Sequence, residues 1–470
     1  MHADSHVILE TAESQAYASL RRRPVPRKDR YALGTALRQD VPRSSLGRWR
    51  PADDRVDPVQ QVIDAHQDRL EWLIPVRIGR MVASPFAFLR GTAGIMAADF
   101  AQLPATGIKP VICGDAHLGN FGFYASPERD LVFDLNDFDE AHPGCWEWDL
   151  RRLVTSVWVA GRQNGAAEAG CEAAVAACVA AYRLQIARLA REPLLARFFE
   201  RLDLDRLRTA ASDKSLQAEI ERSAQRARTR TGDRAVPRFT VQEGSARRIV
   251  EEPPLITRLS DRDADVLAQA LDEYLTTVPK QWRRLLAGYT VLDTAHKVVG
   301  VGSVGLRAYV VLCEGSSPDD VVFLQIKQAR RSVVARFVHG ESARHVHQGQ
   351  RVVEYQQALQ TVSDPMLGWT TINDRQYYVR QFRDMKGAIP IDRIDAPALA
   401  DYARVCGHLL AKGHARTSGA SMIAGYVGSS DKVDIAMCRF ARAYADQTEQ
   451  DHRALVEAVR AGRLPVEHGV

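Results

Sequence analysis

"CGDAHLGNFGFY", residues 113–124, and "DLVFDLNDFDEAHPGCWEWDLRRL", residues 130–153, are where this sequence gathers its chemistry. The apolar runs in "KPVICGD" and "LVFDLND" end on polar residues, as strands that stop at a site do. The first stretch sets Asp115, His117 and Asn120 close together, and the second adds Asp134, Asp137 and Asp139. Asp-x-His can open a dinuclear metallophosphatase site, but that chemistry needs a second Asp and a downstream Asn-His pair, and no "GNH" follows. A structural turn decorated with polar residues is the second reading. The third is a phosphotransfer loop. There a carboxylate orients the attacking hydroxyl and takes its proton, an Asn five positions on helps hold magnesium, and an Asp after the next strand binds the same metal. Asp115 and Asn120 have that spacing, and Asp137 follows "LVFDLN". Magnesium takes oxygen ligands and keeps several waters, so Asn120 and Asp137, with Asp139 beside them, make a sufficient set. Asp134 is a further alternative, and His117 becomes a packing or hydrogen-bonding residue of the loop.

Farther along, Gly300, Gly302 and Gly305 form GxGxxG in "VVGVGSVGLRAYVVL". A dinucleotide site would need a helix next. Here a strand follows, which favours a hairpin lid over phosphates. Lys327 ends the apolar run "VVFLQIKQA" and suits a phosphate-gripping lysine on a strand. A buried lysine needs a carboxylate partner, and the helical stretch "QRVVEYQQALQ" offers Glu354, with Glu341 as substitute. "QYYVRQF" reads as a strand, with backbone near Gln381 and Arg383 at the edge of a nucleotide base. The sequence thus casts Asp115, Lys327 and Glu354 as catalytic, and the three glycines, Lys327, Gln381 and Arg383 as nucleotide-binding. Arg90, Arg380 and Lys386 are either phosphate contacts or ordinary charges.

"CGDAHLGN", "NDFDEA" and "WDLRRL" together resemble the aminoglycoside and choline kinase superfamily, whose pattern runs HGDxHxxN, then IDF with a following Asp and Ala, then a later Asp. Cys113 stands where that pattern has its first His. Asp149 matches the later Asp, which the resemblance implies braces the catalytic loop. From "RMVASPFAFLRGTAGIMAADF" to "GYVGSSDKVDIAMCRFARAYADQTEQDH", most of residues 57–455 resemble the bacterial family known as domain of unknown function 2252, a name that implies no activity. The kinase-like motifs stand in inverted order, with the Asp115 loop ahead of the glycine hairpin. Activity depends on spatial adjacency, so permutation is permissible. The resemblance therefore implies an α+β, protein kinase-like two-lobe fold, circularly permuted. Residues 1–57 would be an irregular basic arm, 58–290 a helical large lobe with the catalytic loop and metal Asp, 291–386 a β-rich nucleotide-binding small lobe, and 387–470 the helical remainder of the large lobe.

Composition sets the outer limits. With 470 residues, 46% hydrophobic and 26% charged, the chain is an ordinary globular one. A net charge of +5 does not call for nucleic acid and suits an anionic small substrate. Seven scattered cysteines without a CxxC pair suggest neither a zinc site nor a disulfide framework, and fit a reducing cytoplasm. No apolar run of about 18 residues predicts a membrane span, and the start lacks the order of a signal peptide. The arginines of 222–248 read as a solvated face or as an anion-binding surface. The expectation is a magnesium- and ATP-dependent phosphotransferase with a small-molecule hydroxyl acceptor. The alternatives are a nucleotide-binding regulator without turnover and a transferase of AMP to a protein hydroxyl.

Overall fold

The strand that carries Lys327 explains half of the molecule. In the computed structural model, which describes residues 25–244, 246–338, 345–382, 384–417 and 419–469, Val321–Gln328 is buried along its whole length. Alternation sends Val322, Leu324 and Ile326 to one face and Val321 and Phe323 to the other. The strand lies third in a six-stranded sheet. Its order is Gly368–Ile372, Arg375–Gln381, Val321–Gln328, Ala308–Glu314, Thr290–Lys297 and Ile256–Arg258, with every neighbour antiparallel.

Helix Asp261–Thr277 covers the first face. Its Leu267, Ala270, Leu271 and Tyr274 recur at helical spacing and enter the core beneath the sheet. Ser260 starts this helix by accepting from the Asp263 amide, which satisfies one open N–H group. Phe239, Ile249 and Phe382 close the opposite face.

The other half is helical. Helix Trp146–Gln163 is buried from Trp146 to Gly161 and runs through the largest core cluster. Helices Glu168–Leu189 and Ala396–Thr417 approach so closely that a Cβ on Gly407 would collide with the Cys178 carbonyl. Two small pairings, Val111–Ile112 with His142–Pro143 and Phe121–Ala125 with Leu131–Leu135, bracket the loop that holds Asp115.

The chain is α+β, as the sequence implies, but three boundaries differ. Residues 25–57 are irregular only in part: Arg27–Ala36 is a helix, Arg43–Gly47 a 3-10 turn, and Arg55 bridges Asp99 at 2.8 Å and Asp451 at 2.7 Å. Close approach fixes that helix in place, because Gly34 abuts the Met422 backbone and Gly425 abuts Tyr31. Residues 1–24 of the expected arm lie outside the described residues. Segment 256–286, expected within the helical body, packs on the sheet because its apolar stripe meets the sheet's first face. Conversely, helix Gln348–Leu359, expected in the β-rich part, buries Val352, Val353 and Leu359 in the helical core. All seven cysteines are buried free thiols. Among the described residues no helix is long and apolar enough to cross a membrane.

Candidate functional site

One face of helix Trp146–Gln163 shapes the loop at 113–120. Asp149, Arg152 and Ser156 are spaced by three and four residues, so they point the same way. The Asp149 carboxylate accepts from the amides of Cys113 at 2.6 Å and Gly114 at 2.9 Å, and His414 Nε2 lies 3.3 Å from it. Arg152 Nε donates to Asp115 Oδ1, and its second amino group reaches the Leu89 carbonyl at 2.8 Å. Ser156 Oγ accepts from the Leu118 amide at 3.0 Å. Inside the loop, Asn120 Nδ2 donates to the Asp115 carbonyl at 2.7 Å, and His117 Nδ1 accepts from the Gly119 amide at 3.0 Å. His117 is therefore a loop-holding residue. Gly114 has φ +75°, and a Cβ there would strike the Glu140 carbonyl, so glycine is required. Cys113 Sγ donates to the Asp137 carbonyl at 3.3 Å, fastening this loop to the acidic turn that follows.

The three aspartates of that turn separate by partner. Asp134 is sealed against Lys412. Asp139 receives Lys327 Nζ at 2.8 Å, the Tyr378 hydroxyl at 2.7 Å and Ser303 Oγ at 3.1 Å. Asp137 makes no ion pair among the described residues; its only side-chain hydrogen bond is a long one, 3.5 Å, from the Asp139 amide. That leaves Asp137 and the Asn120 amide oxygen as the donors open to a cation. Among the described residues, no group of three or more His, Cys, Asp or Glu side chains is arranged for a metal. A sparse oxygen set of this kind fits magnesium, which completes its shell with water and phosphate.

The GxGxxG stretch is a hairpin tip. Residues 298–307 join the antiparallel strands Thr290–Lys297 and Ala308–Glu314, and Gly300 and Gly305 take φ +65° and +88°. The tip docks on the N-terminal helices: the Leu70 amide donates to the Gly305 carbonyl at 2.8 Å, Arg80 holds the Gly300 carbonyl and Arg69 that of Val304. Asp115, Asn120 and Asp137 line, together with Gly300 and Gly302, a cavity of about 590 Å³. A second cavity, about 190 Å³, lies beside Arg380 and Lys386. The two share Arg90, Asn120 and Asp137.

Charge is tightly managed here. Burial, only partly offset by Arg152, pushes the Asp115 carboxyl up to about 7. Burial opposes the Lys327 charge, but Asp139 outweighs it and raises that ammonium group. Burial would likewise raise Asp139, yet Lys327 and the Tyr378 hydroxyl hold it down, at about 2. Burial lowers Arg90, with Asp115 and Asp137 compensating in part.

Several expected residues fall elsewhere. Glu354 is not the partner of Lys327: it accepts from His345 Nε2 at 2.7 Å and Gln350 Nε2 at 2.8 Å. Its helix instead sends Arg351 towards the acidic turn, donating to the Asp139 carbonyl at 2.8 Å. Glu341 lies outside the described residues. Asp139, expected as a metal ligand, is engaged by Lys327. The Gln381 amide is taken by Asp364 Oδ2 at 2.6 Å and the Phe382 amide by Phe323, so neither donor is open to a base; Arg383 lies outside the described residues. Gly305 sits against Arg69, not on the cavity wall.

Arg222 and Arg226 close on Glu219, Arg247 on Glu314 and Arg248 on Asp293, as a solvated face would. None of them lines either cavity. Sequence reading missed Arg152, Tyr378 and Asp364. Only Arg152 left a signal, its three-residue spacing from Asp149.

A family model described as "Uncharacterized protein conserved in bacteria (DUF2252)" matches residues 69–458. No curated protein and no solved structure matches the chain.

Proposed function

The chain belongs to this bacterial DUF2252 family, whose description names no activity, and we propose that it is a magnesium- and ATP-dependent phosphotransferase with a permuted, kinase-like two-lobe fold. The acceptor is the hydroxyl of a small molecule. One observation carries the reading: two segments far apart in sequence meet at a single cavity. Asp115, Asn120 and Asp137 line it together with Gly300 and Gly302, and the Lys327–Asp139 contact ties the sheet to the acidic turn beside it.

In this reading Asp115 Oδ2 takes the proton of the acceptor hydroxyl while Arg152 holds Oδ1 in place. A carboxyl near 7 is well matched to that task at neutral pH. The acceptor oxygen forms its bond to the terminal phosphorus as the bond to the leaving oxygen breaks, and ADP departs. Magnesium held by Asn120 and Asp137 would supply positive charge against the phosphate oxygens. Lys327 is buried and lines neither cavity, so its charge would act through Asp139, and the hairpin tip would limit water. Rate enhancement then rests on positioning and charge compensation.

A second reading, nucleotide binding without turnover, is favoured by the same Arg152 contact, which occupies half of the carboxylate assigned as base. The test has two stages. Magnesium with ATP should raise Tm, because linkage adds about 2.7 kcal/mol to the unfolding free energy at a hundredfold excess over Kd. Product analysis should then find ADP; pyrophosphate would signal AMP transfer instead. Asp115→Asn should abolish ADP release while keeping the nucleotide Tm shift. Release that survives this substitution removes Asp115 from the role.

A further inference from the structure

Arginines crowd one part of the larger cavity, and the proposed phosphotransfer gives them no task. Arg69, Arg77, Arg90 and Arg330 line it, and none pairs with a carboxylate among the described residues. Arg69 and Arg77 spend hydrogen bonds within the protein: Arg69 on the carbonyls of Ala65, at 2.9 Å, and Val304, and Arg77 on the Gly91 carbonyl at 2.9 Å and on His66 Nε2 at 3.0 Å. The Nε atoms of Arg77 and Arg90 are buried without a partner. The Arg330 guanidinium makes no hydrogen bond among the described residues.

Guanidinium groups without a carboxylate partner are costly to hold together, most of all Arg77, which is 1% exposed, and an anion among them offsets that cost. Their mutual strain is visible. Burial, then the charges of Arg77 and Arg330, lower Arg69 well below the usual range, and burial with Arg330 brings Arg77 to about 10. Neighbouring His66 is pushed down to about 4 by burial and by these same arginines, so it is neutral and adds no charge.

Position decides which ligand they face. The donor phosphates must reach Asn120 and Asp137, which both cavities share. Asp115 lines only the larger one, so the acceptor hydroxyl must arrive from that side. Arg90 stands near Asp115 and Asp137, whereas Arg69 and Arg77 feel each other, Arg330 and Glu140. Arg69, Arg77 and Arg330 line the larger cavity together with Asp115. The volume, about 590 Å³, has room for a small metabolite beside the phosphates.

We infer that the acceptor is a hydroxyl compound that already carries a phosphate or similar oxyanion, which Arg69, Arg77 and Arg330 grip while Asp115 faces its hydroxyl. This rests on the phosphotransferase reading. Three guanidinium groups at one end of the acceptor favour an anionic group there over a cationic one.

The experiment uses the full chain, saturated with magnesium and a non-hydrolysable ATP analogue. Inorganic phosphate is the anionic probe and kanamycin the cationic one, both followed by calorimetric titration. Phosphate should bind the loaded protein, with affinity at least tenfold weaker in Arg330→Gln and partly restored in Arg330→Lys. Arg69→Gln, at a second of the three arginines, should weaken it in the same direction and guards against a single misfolded variant. Kanamycin should not bind. Equal phosphate affinity in wild type and both Gln variants, or binding of kanamycin alone, overturns the inference and leaves the phosphotransferase reading standing. Failure of the nucleotide analogue to bind, with phosphate still bound, removes that reading and with it the acceptor role of the arginines.

Discussion

Asp134 and Asp139 flank the same short turn, and each holds a lysine, yet the two contacts do different work. In the Asp134–Lys412 pair both side chains are 1% exposed, and the pair ties strand Leu131–Leu135 to helix Ala396–Thr417. In the Asp139–Lys327 pair the lysine is 5% and the aspartate 23% exposed, and the contact bridges the sheet to the acidic turn, where Asp139 borders the large cavity. The chemistry is the same in both. What differs is access: a sealed pair can only hold elements together, whereas one that a ligand can approach can also exchange partners. Asp137, between them, has no lysine or arginine partner among the described residues.

The largest effect should come from breaking the sealed pair. Lys412→Met leaves Asp134 buried and uncompensated, which should cost about 3–5 kcal/mol in a urea titration. Replacing both partners with apolar residues should recover much of that loss. A single substitution no more costly than one at the surface would erase the distinction between the two pairs.

At the open pair the loss should move from stability to function. Lys327→Met should lower ADP release by about a hundredfold, some 2.7 kcal/mol of transition-state stabilisation. Its unfolding free energy should fall less than that of Lys412→Met, because Asp139 keeps Tyr378 and Ser303 as donors and reaches the cavity. Steady-state rates and urea titrations on the same two proteins decide the order.

Next in size is a pH effect. Asp115 faces Arg152 and Arg90, with Asp137 and Glu140 adding negative charge. Its folded value is raised to about 7, so the base form appears as pH rises, and kcat/KM should climb through a limb near 7. Arg152→Gln removes the charge that partly offsets burial and should move this limb to higher pH, with Arg152→Lys moving it back. Stability should respond in opposite directions at the two aspartates. The folded state holds a proton on Asp115 longer than the unfolded chain does, so this group's contribution declines as pH rises from about 4 to 7. Asp139, held low, stabilises above about 4, and that contribution is lost as pH falls towards 2.

How much of this was legible in the sequence follows from what each contact depends on. The Asp115–Asn120 spacing, the glycine hairpin and the alternation that buries Lys327 are local, and the sequence displays them directly. Asp149 was legible through the resemblance, and the spacing of Arg152 was there to be noticed. The partner of Lys327 was not legible. Glu354 and Asp139 are both carboxylates on plausible elements, and only the docking of the sheet on the acidic turn chooses between them. The same holds for residues 25–57, whose order depends on glycines at Gly34 and Gly425 that permit backbone contact across nearly the whole chain. The arginines of the large cavity come from segments around 69–90 and 330, and only their convergence gives them meaning.

The smallest expected effect tests the comparison at its most delicate point, the hydroxyl that accompanies each pair. Thr361 Oγ1 accepts from Lys412 Nζ at 3.2 Å, and Ser303 Oγ donates to Asp139 at 3.1 Å. Losing one hydrogen bond to a charged group is worth about 1.5–3 kcal/mol at most, and less where water can replace it. Thr361→Ala should therefore appear almost wholly as lost stability, since the sealed pair admits no substitute. Ser303→Ala should barely change the urea midpoint, because its site borders the cavity, and should instead weaken the magnesium–ATP analogue a few-fold by loosening the hairpin tip. If both variants lose stability alike and nucleotide affinity stays constant, the hairpin contact at Asp139 is as structural as the buried one at Asp134, and the open pair has no claim to a ligand.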